Sequence, residues 1–169
     1  MPQFFFDDLE LGMTFETPRR TITEADVVAF AGLSGDYNPL HTDEEFAKTG
    51  PFGRRIGHGV LTLAVFTGLS DRLGFLAGSV EAFYGINKLR FTRPVFFGDT
   101  LHATIKVVGK KGREKNGLVV FSNEVVNQRG ETVLICDTEL LVRKKPIMIT
   151  RKKSLGASYE RASAAPSRP

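Results

Sequence analysis

Apolar positions change their spacing twice along this chain. From Thr23 to Gly74 they recur at the period of a helix, and from Glu81 to Arg143 they alternate as strands do. Ahead of both, Met13–Ile22 alternates as a first strand, with Pro18 marking an edge or a break. Thr23 stands where a helix N-cap belongs, with Glu24 and Asp26 in the first turn, where negative charge suits the helix dipole. Val27, Phe30, Ala31 and Leu33 keep the helical period, and Gly35 ends it. A short second helix is expected over about Asp43 to Lys48. Gly59–Gly74 is apolar nearly all round, which predicts a long buried helix. A buried strand run is the alternative, disfavoured by the length and by Ala and Leu at helical spacing. Strands follow over Glu81–Phe91, Thr100–Lys110, Leu118–Asn127 and Thr132–Arg143, the last two about a turn at Gln128–Glu131. Helices followed by antiparallel strands predict an α+β domain and not a doubly wound one.

The chain of 169 residues is expected to hold one folded domain over residues 1–145 and a basic, disordered tail over 146–169. The formal charge of +4 belongs to that tail. From Lys144 onward there are seven basic residues and one acidic, which leaves sixteen basic and eighteen acidic before it. A nearly neutral domain gives no electrostatic footprint for nucleic acid. No apolar run of about eighteen residues occurs, so no membrane span is expected. The N-terminus lacks the features of a secretory leader. Cys136, alone, lies in an apolar strand pattern and reads as a small buried hydrophobe. A reducing cytoplasm is the expected location.

Candidate chemistry gathers at Ser34-Gly35-Asp36-Tyr37-Asn38-Pro39-Leu40-His41, between the first two helices. Gly35 frees the backbone and Pro39 keeps Asn38 out of the α region, so the segment reads as a stiff, non-helical loop. It presents a carboxylate and an imidazole together, and histidine is the side chain that titrates nearest neutral pH. Asp36 and His41 could polarise one water between them. They could equally close an Asx-turn and donate to a backbone carbonyl, with no catalytic part. The spacing of the three histidines gives no support for zinc or iron.

The stretch is longer than that core. Phe30-Ala-Gly-Leu-Ser-Gly-Asp-Tyr-Asn-Pro-Leu-His41 is followed by Ala47 and then by Ile56-Gly57-His58-Gly59-Val60-Leu61. It resembles the MaoC-like dehydratases, or (R)-specific enoyl-CoA hydratases (hydratase 2), over roughly residues 5–143. The resemblance implies a single hotdog domain, in which a curved antiparallel sheet wraps a long central helix. It implies reversible addition of water to a 2-enoyl thioester of coenzyme A or an acyl carrier protein. The thioester is then substrate, with no further cofactor and no metal. Asp36 and His41 would be the catalytic pair, Ser34 and Asn38 the supporting loop, and the Gly59 N–H the oxyanion donor at the helix start. On spacing alone Gly57 and Gly59 are also what a plain turn before a helix would carry.

Leu40, Phe52, Val60, Leu61 and Phe83 are the candidate acyl-pocket walls. Arg54, Arg55, Arg90 and Arg93 are candidates for the coenzyme A phosphates, against the alternative of a solvated face. His58 is expected to hold the helix start or to line a subunit interface. A homodimer or higher homo-oligomer is expected, because a single sheet leaves an edge open. Two other functions share the fold: an acyl-CoA thioesterase and a non-catalytic acyl-thioester-binding subunit. Thioesterases of this fold generally need one carboxylate and not the Asp-x-Asn-Pro-x-His spacing, so the intact pair favours hydration.

Overall fold

The computed structural model describes residues 3–146, so the expected tail lies almost wholly outside the described residues. A short 3-10 turn, Phe6–Asp8, leads into β1 (Thr14–Glu16) and β2 (Arg20–Thr21), the predicted first strand broken around Pro18. Four helices follow: α1 (Glu24–Ser34), α2 (Pro39–Thr42), α3 (Glu44–Thr49) and α4 (Gly59–Asp71). The long strands are β3 (Val80–Phe91), β4 (Thr100–Gly112), β5 (Asn116–Val126) and β6 (Thr132–Arg143). All pair antiparallel in the order β1-β4-β5-β6-β3, with β2 beside β4, so β3 is one edge of the sheet.

Local chemistry sets the element ends. Thr23 caps α1 in a reciprocal box: its hydroxyl accepts the Asp26 N–H, and the Asp26 carboxylate accepts the Thr23 N–H at 2.8 Å. Gly35 closes the helix at φ 76°, a conformation that favours glycine. Asp43 caps α3 by accepting the Phe46 N–H.

Alternation then builds the core. Leu101, Ala103, Ile105 and Val107 of β4, Val119, Phe121 and Val125 of β5, and Leu134, Cys136 and Val142 of β6 share one buried cluster with Leu61, Val65, Phe66 and Leu69 of α4. Each large side chain so buried contributes about 1.5–3 kcal/mol. Burial also pushes the Cys136 thiol above its ordinary range, in keeping with an inert packing residue.

One expectation fails here. The central helix is not buried all round: Val60 is 57% exposed, and Ala64, Thr67 and Gly68 continue that stripe in the open. A single curved sheet covers only one side of α4. The opposite side, from Val60 to Gly68, is uncovered among the described residues.

Candidate active site

The loop from Ser34 to His41 leaves α1 at the left-handed Gly35 and is organised by its own side chains. Ser34 Oγ accepts the Asp36 N–H at 3.2 Å, Asp36 Oδ1 accepts the Asn38 N–H at 3.2 Å, and Asn38 Oδ1 accepts the Leu40 N–H at 3.0 Å. The Asx-turns are therefore real, but they stiffen the loop without using up the Asp36 carboxylate. The segment is not wholly non-helical, as its sequence suggested. Pro39–Thr42 makes one helical turn capped by Asn38, with proline at the first position. Pro39 does restrict Asn38, which is held at φ −51° and ψ 133°, yet a proline can itself open a helix. His41 thus sits on a short rigid turn.

Its ring is oriented by the backbone. His41 Nδ1 lies 2.8 Å from the carbonyl of Ile56. A carbonyl only accepts, so Nδ1 carries the proton and Nε2 keeps a free lone pair. The partner segment is itself pinned: the Gly57 N–H donates to Val95 at 2.7 Å, and Ile56 bridges to Phe96.

His58, one residue before α4, packs against this pair. Its ring centroid lies 3.8 Å from that of His41 and 4.9 Å from that of Phe30. Ligating atoms of Asp36, His41 and His58 all fall within 4.8 Å of one another, a cluster the sequence spacing did not suggest. The two imidazole planes meet at 34°, and one nitrogen of each ring is already engaged by a backbone carbonyl, His41 Nδ1 by Ile56 and His58 Nε2 by Asp36.

Gly59 begins α4, and the first backbone N–H of that helix to find a backbone acceptor is that of Thr62, on the His58 carbonyl. The Gly59 N–H is left free among the described residues, as the first turn of any helix requires. A cavity of about 360 Å³ opens beside it. Phe52, Gly59, Phe91 and Arg93 are in its wall, whereas the exposed Asp36 and the half-buried His41 are not. A second cavity of about 270 Å³, more apolar, lies at the far end of α4 between Phe66, Phe75, Leu76, Val80, Phe83 and Leu140.

The structure scatters the other candidates. Leu40 is half-buried beside His41, with its carbonyl accepting the Ile56 N–H. Leu61 turns into the core, because its side of α4 faces the sheet. Val60 projects to the open side, and Phe83 lines the far cavity, whose Phe66–Asp71 wall lies about 10–18 Å along the helix from Gly59. Arg55 is not a free cation. Hydrogen bonds that it donates to Glu44 and then Glu24 raise its pKa, and it bridges the two carboxylates at 2.9 and 2.7 Å. Arg54 lies 3.9 Å over the Phe96 ring, Arg93 faces Glu131 at 4.0 Å, and Arg90 donates to its neighbour's carbonyl.

Residues 8–129 match the MaoC like domain family. The chain is 36% identical over 124 residues to 3-hydroxyacyl-thioester dehydratase Z of Mycobacterium tuberculosis, covering 73% of this chain and 82% of that one. The unliganded (R)-hydratase PhaJ1 of Pseudomonas aeruginosa superposes with a TM-score of 0.72 at 32% identity, over 85% of this chain and 88% of that one. A double-hotdog protein of Mycobacterium tuberculosis, at 24% identity and a TM-score of 0.75, shares the fold over 86% of this chain and 46% of its own. The curved antiparallel sheet around α4 is a single hotdog domain, and the chain belongs to the MaoC-like dehydratase family.

Proposed function

We propose that this protein is an (R)-specific enoyl-CoA hydratase and 3-hydroxyacyl-CoA dehydratase, a hydro-lyase that adds water reversibly to a 2-enoyl thioester. The observation that carries the reading is the juxtaposition of the Asp36 carboxylate with a His41 ring whose Ile56 contact leaves Nε2 bare. Asp36 and His41 hold one water. Nε2 takes a proton from it as its oxygen bonds C3 of the enoyl group. The charge that moves onto the thioester oxygen meets the Gly59 N–H at the positive end of α4. A proton returned from the Asp36–His41 pair to C2 completes the addition, and the reverse sequence expels water. No step needs a metal or a further cofactor, and the coenzyme A or carrier-protein thioester is the substrate.

The working unit is a homodimer. Strand β3 is a twelve-residue edge that exposes Phe83, Tyr84 and Phe91, and α4 beside it exposes Val60. Pairing of two such edges covers both features. It also brings the far cavity of one protomer toward the Gly59 end of its partner, because an antiparallel two-fold sets the start of one β3 against the end of the other. That supports the cavity around Phe83 as acyl space for the partner's site.

Purified protein incubated with crotonyl-CoA tests the reading, with enoyl absorbance and free thiol followed in parallel. Loss of absorbance without thiol is the expected result. Thiol release would make the protein a thioesterase, and no reaction would leave an acyl-thioester-binding subunit.

A further inference from the structure

We infer that His58 is a positioning residue that fixes the distance between the water-holding carboxylate and the thioester-oxygen donor. This rests on the hydratase reading above and deepens it.

Residues 32–39 are all exposed, and the hydrogen bonds organising Ser34–Asn38 are nearly all local to α1, the loop and α2. Such a loop is stiff within itself but free to ride relative to the core. Among the described residues, one hydrogen bond ties Asp36 to the core: His58 Nε2 lies 2.9 Å from the Asp36 backbone carbonyl, across 22 positions of sequence. His58 is 2% exposed and is clamped between the rings of Phe30 and His41. Its own backbone is the N-cap of α4, accepting the Thr62 N–H at 3.1 Å, and the next residue is Gly59. One residue therefore grips Asp36 with its side chain and starts the oxyanion helix with its main chain.

The hydrogen bond also dictates the protonation state. The Asp36 carbonyl must accept, so His58 Nε2 carries the proton. Nδ1 is buried with no hydrogen-bond partner among the described residues. The role this leaves to His58 is geometric, and His41 remains the base.

The test uses the full chain and two substitutions. His58→Phe keeps a ring between Phe30 and His41 but has no N–H, whereas Gln places a side-chain N–H about where Nε2 stood. His58→Phe is expected to lower kcat for crotonyl-CoA about 10²-fold, with KM within about twofold, because misplacing reacting groups by about 1 Å costs that much. His58→Gln is expected to recover most of the loss. Hydrogen exchange should rise at residues 35–38 in the Phe variant and not along α4. Near-normal kcat in His58→Phe, or equal loss in both variants, overturns the inference while an active unsubstituted protein keeps the hydratase reading. An inactive unsubstituted protein removes the reading itself. If the Phe variant does not fold, nitrogen-15 spectra of the unsubstituted protein decide. A ring protonated on Nε2 alone at neutral pH supports the inference, and one protonated on Nδ1 overturns it.

Discussion

The ring of Phe91 lies directly against Gly59: a methyl group on Gly59 would stand 3.0 Å from a Phe91 ring carbon. The helix start is bare because an edge-strand aromatic occupies the space a side chain would need. Gly59→Val is therefore expected to push Phe91 aside and to block the approach of a thioester oxygen to the backbone N–H. A lost oxyanion donor costs about 10²–10³ in kcat. The measurement is kcat with crotonyl-CoA, together with the Kd of a saturated acyl-CoA, which should also weaken. Gly57→Ala is the control, since its added methyl would meet the Val95 carbonyl at 3.5 Å and a Val27 methyl at 3.9 Å, both ordinary contacts. Comparable losses in the two variants would count against the Gly59 assignment.

Asp36→Ala and His41→Ala are each expected to lower kcat by about 10²–10⁴, the usual contribution of a positioned acid or base. Stability should change little in Asp36→Ala, because Asp36 is exposed and its carboxylate, among the described residues, accepts one hydrogen bond, from the nearby Asn38 N–H. Thermal melts beside steady-state rates separate the two effects. Turnover near that of the unsubstituted protein in either variant would sink the pair as catalysts.

The elements and the site differ in how far the sequence reveals them, and the reason is range. Thr23, Gly35 and Asp43 act within four residues, so the bounds of α1 and the start of α3 can be read directly. The β4–β6 alternation is equally local and delivers the sheet. Leu61 and Val60 are adjacent and both apolar, and only packing against the sheet decides that one is core and the other open. Arg55 looks like a free cation until Glu24 and Glu44 are brought to it from 31 and 11 positions away. The His58 contact with Asp36 leaves no local mark beyond a histidine next to a helix-opening glycine.

Asp99 carries the expected pH dependence of stability. The residue is 3% exposed, and burial pushes its carboxyl up. Hydrogen bonds from Arg129, the Phe96 N–H and Gln128 outweigh that and hold it below the ordinary 3.8. Its folded value is thus lower than its unfolded one, and the stabilisation is present above 3.8 and lost as pH falls below it. Tm should drop as pH falls below 3.8, and Asp99→Asn should flatten that drop while costing about 1–3 kcal/mol at neutral pH. An identical acid profile in the variant would assign the loss to other carboxylates.

Strand β3 gives the oligomer prediction. Phe83 is 49% and Tyr84 60% exposed on an edge with only β6 as a strand partner, so both should be covered when two edges meet. The unsubstituted protein should sediment as a dimer, and Phe83→Asp with Tyr84→Asp should sediment as a monomer with strongly reduced hydratase activity. A fully active monomer would show that one protomer's site is complete without its partner.

The last expectation is stereochemical. Asp36 and His41 lie on one short, internally hydrogen-bonded segment, and Gly59 lies at the end of a helix packed into the core. A thioester whose oxygen is held at Gly59 has one face of its double bond toward the Asp36–His41 water and the other toward the protein. Water can then reach C3 from one side only, and the product must be a single 3-hydroxy enantiomer. The hydratase proposed above requires that enantiomer to be (R). Crotonyl-CoA hydrated to equilibrium and resolved on a chiral column reads the answer, and an (S)-specific dehydrogenase should find no substrate in the mixture. A racemic product would mean that the water is not held by this loop. A pure (S) product would mean the same, and the roles given to Asp36, His41 and Gly59 would fall together.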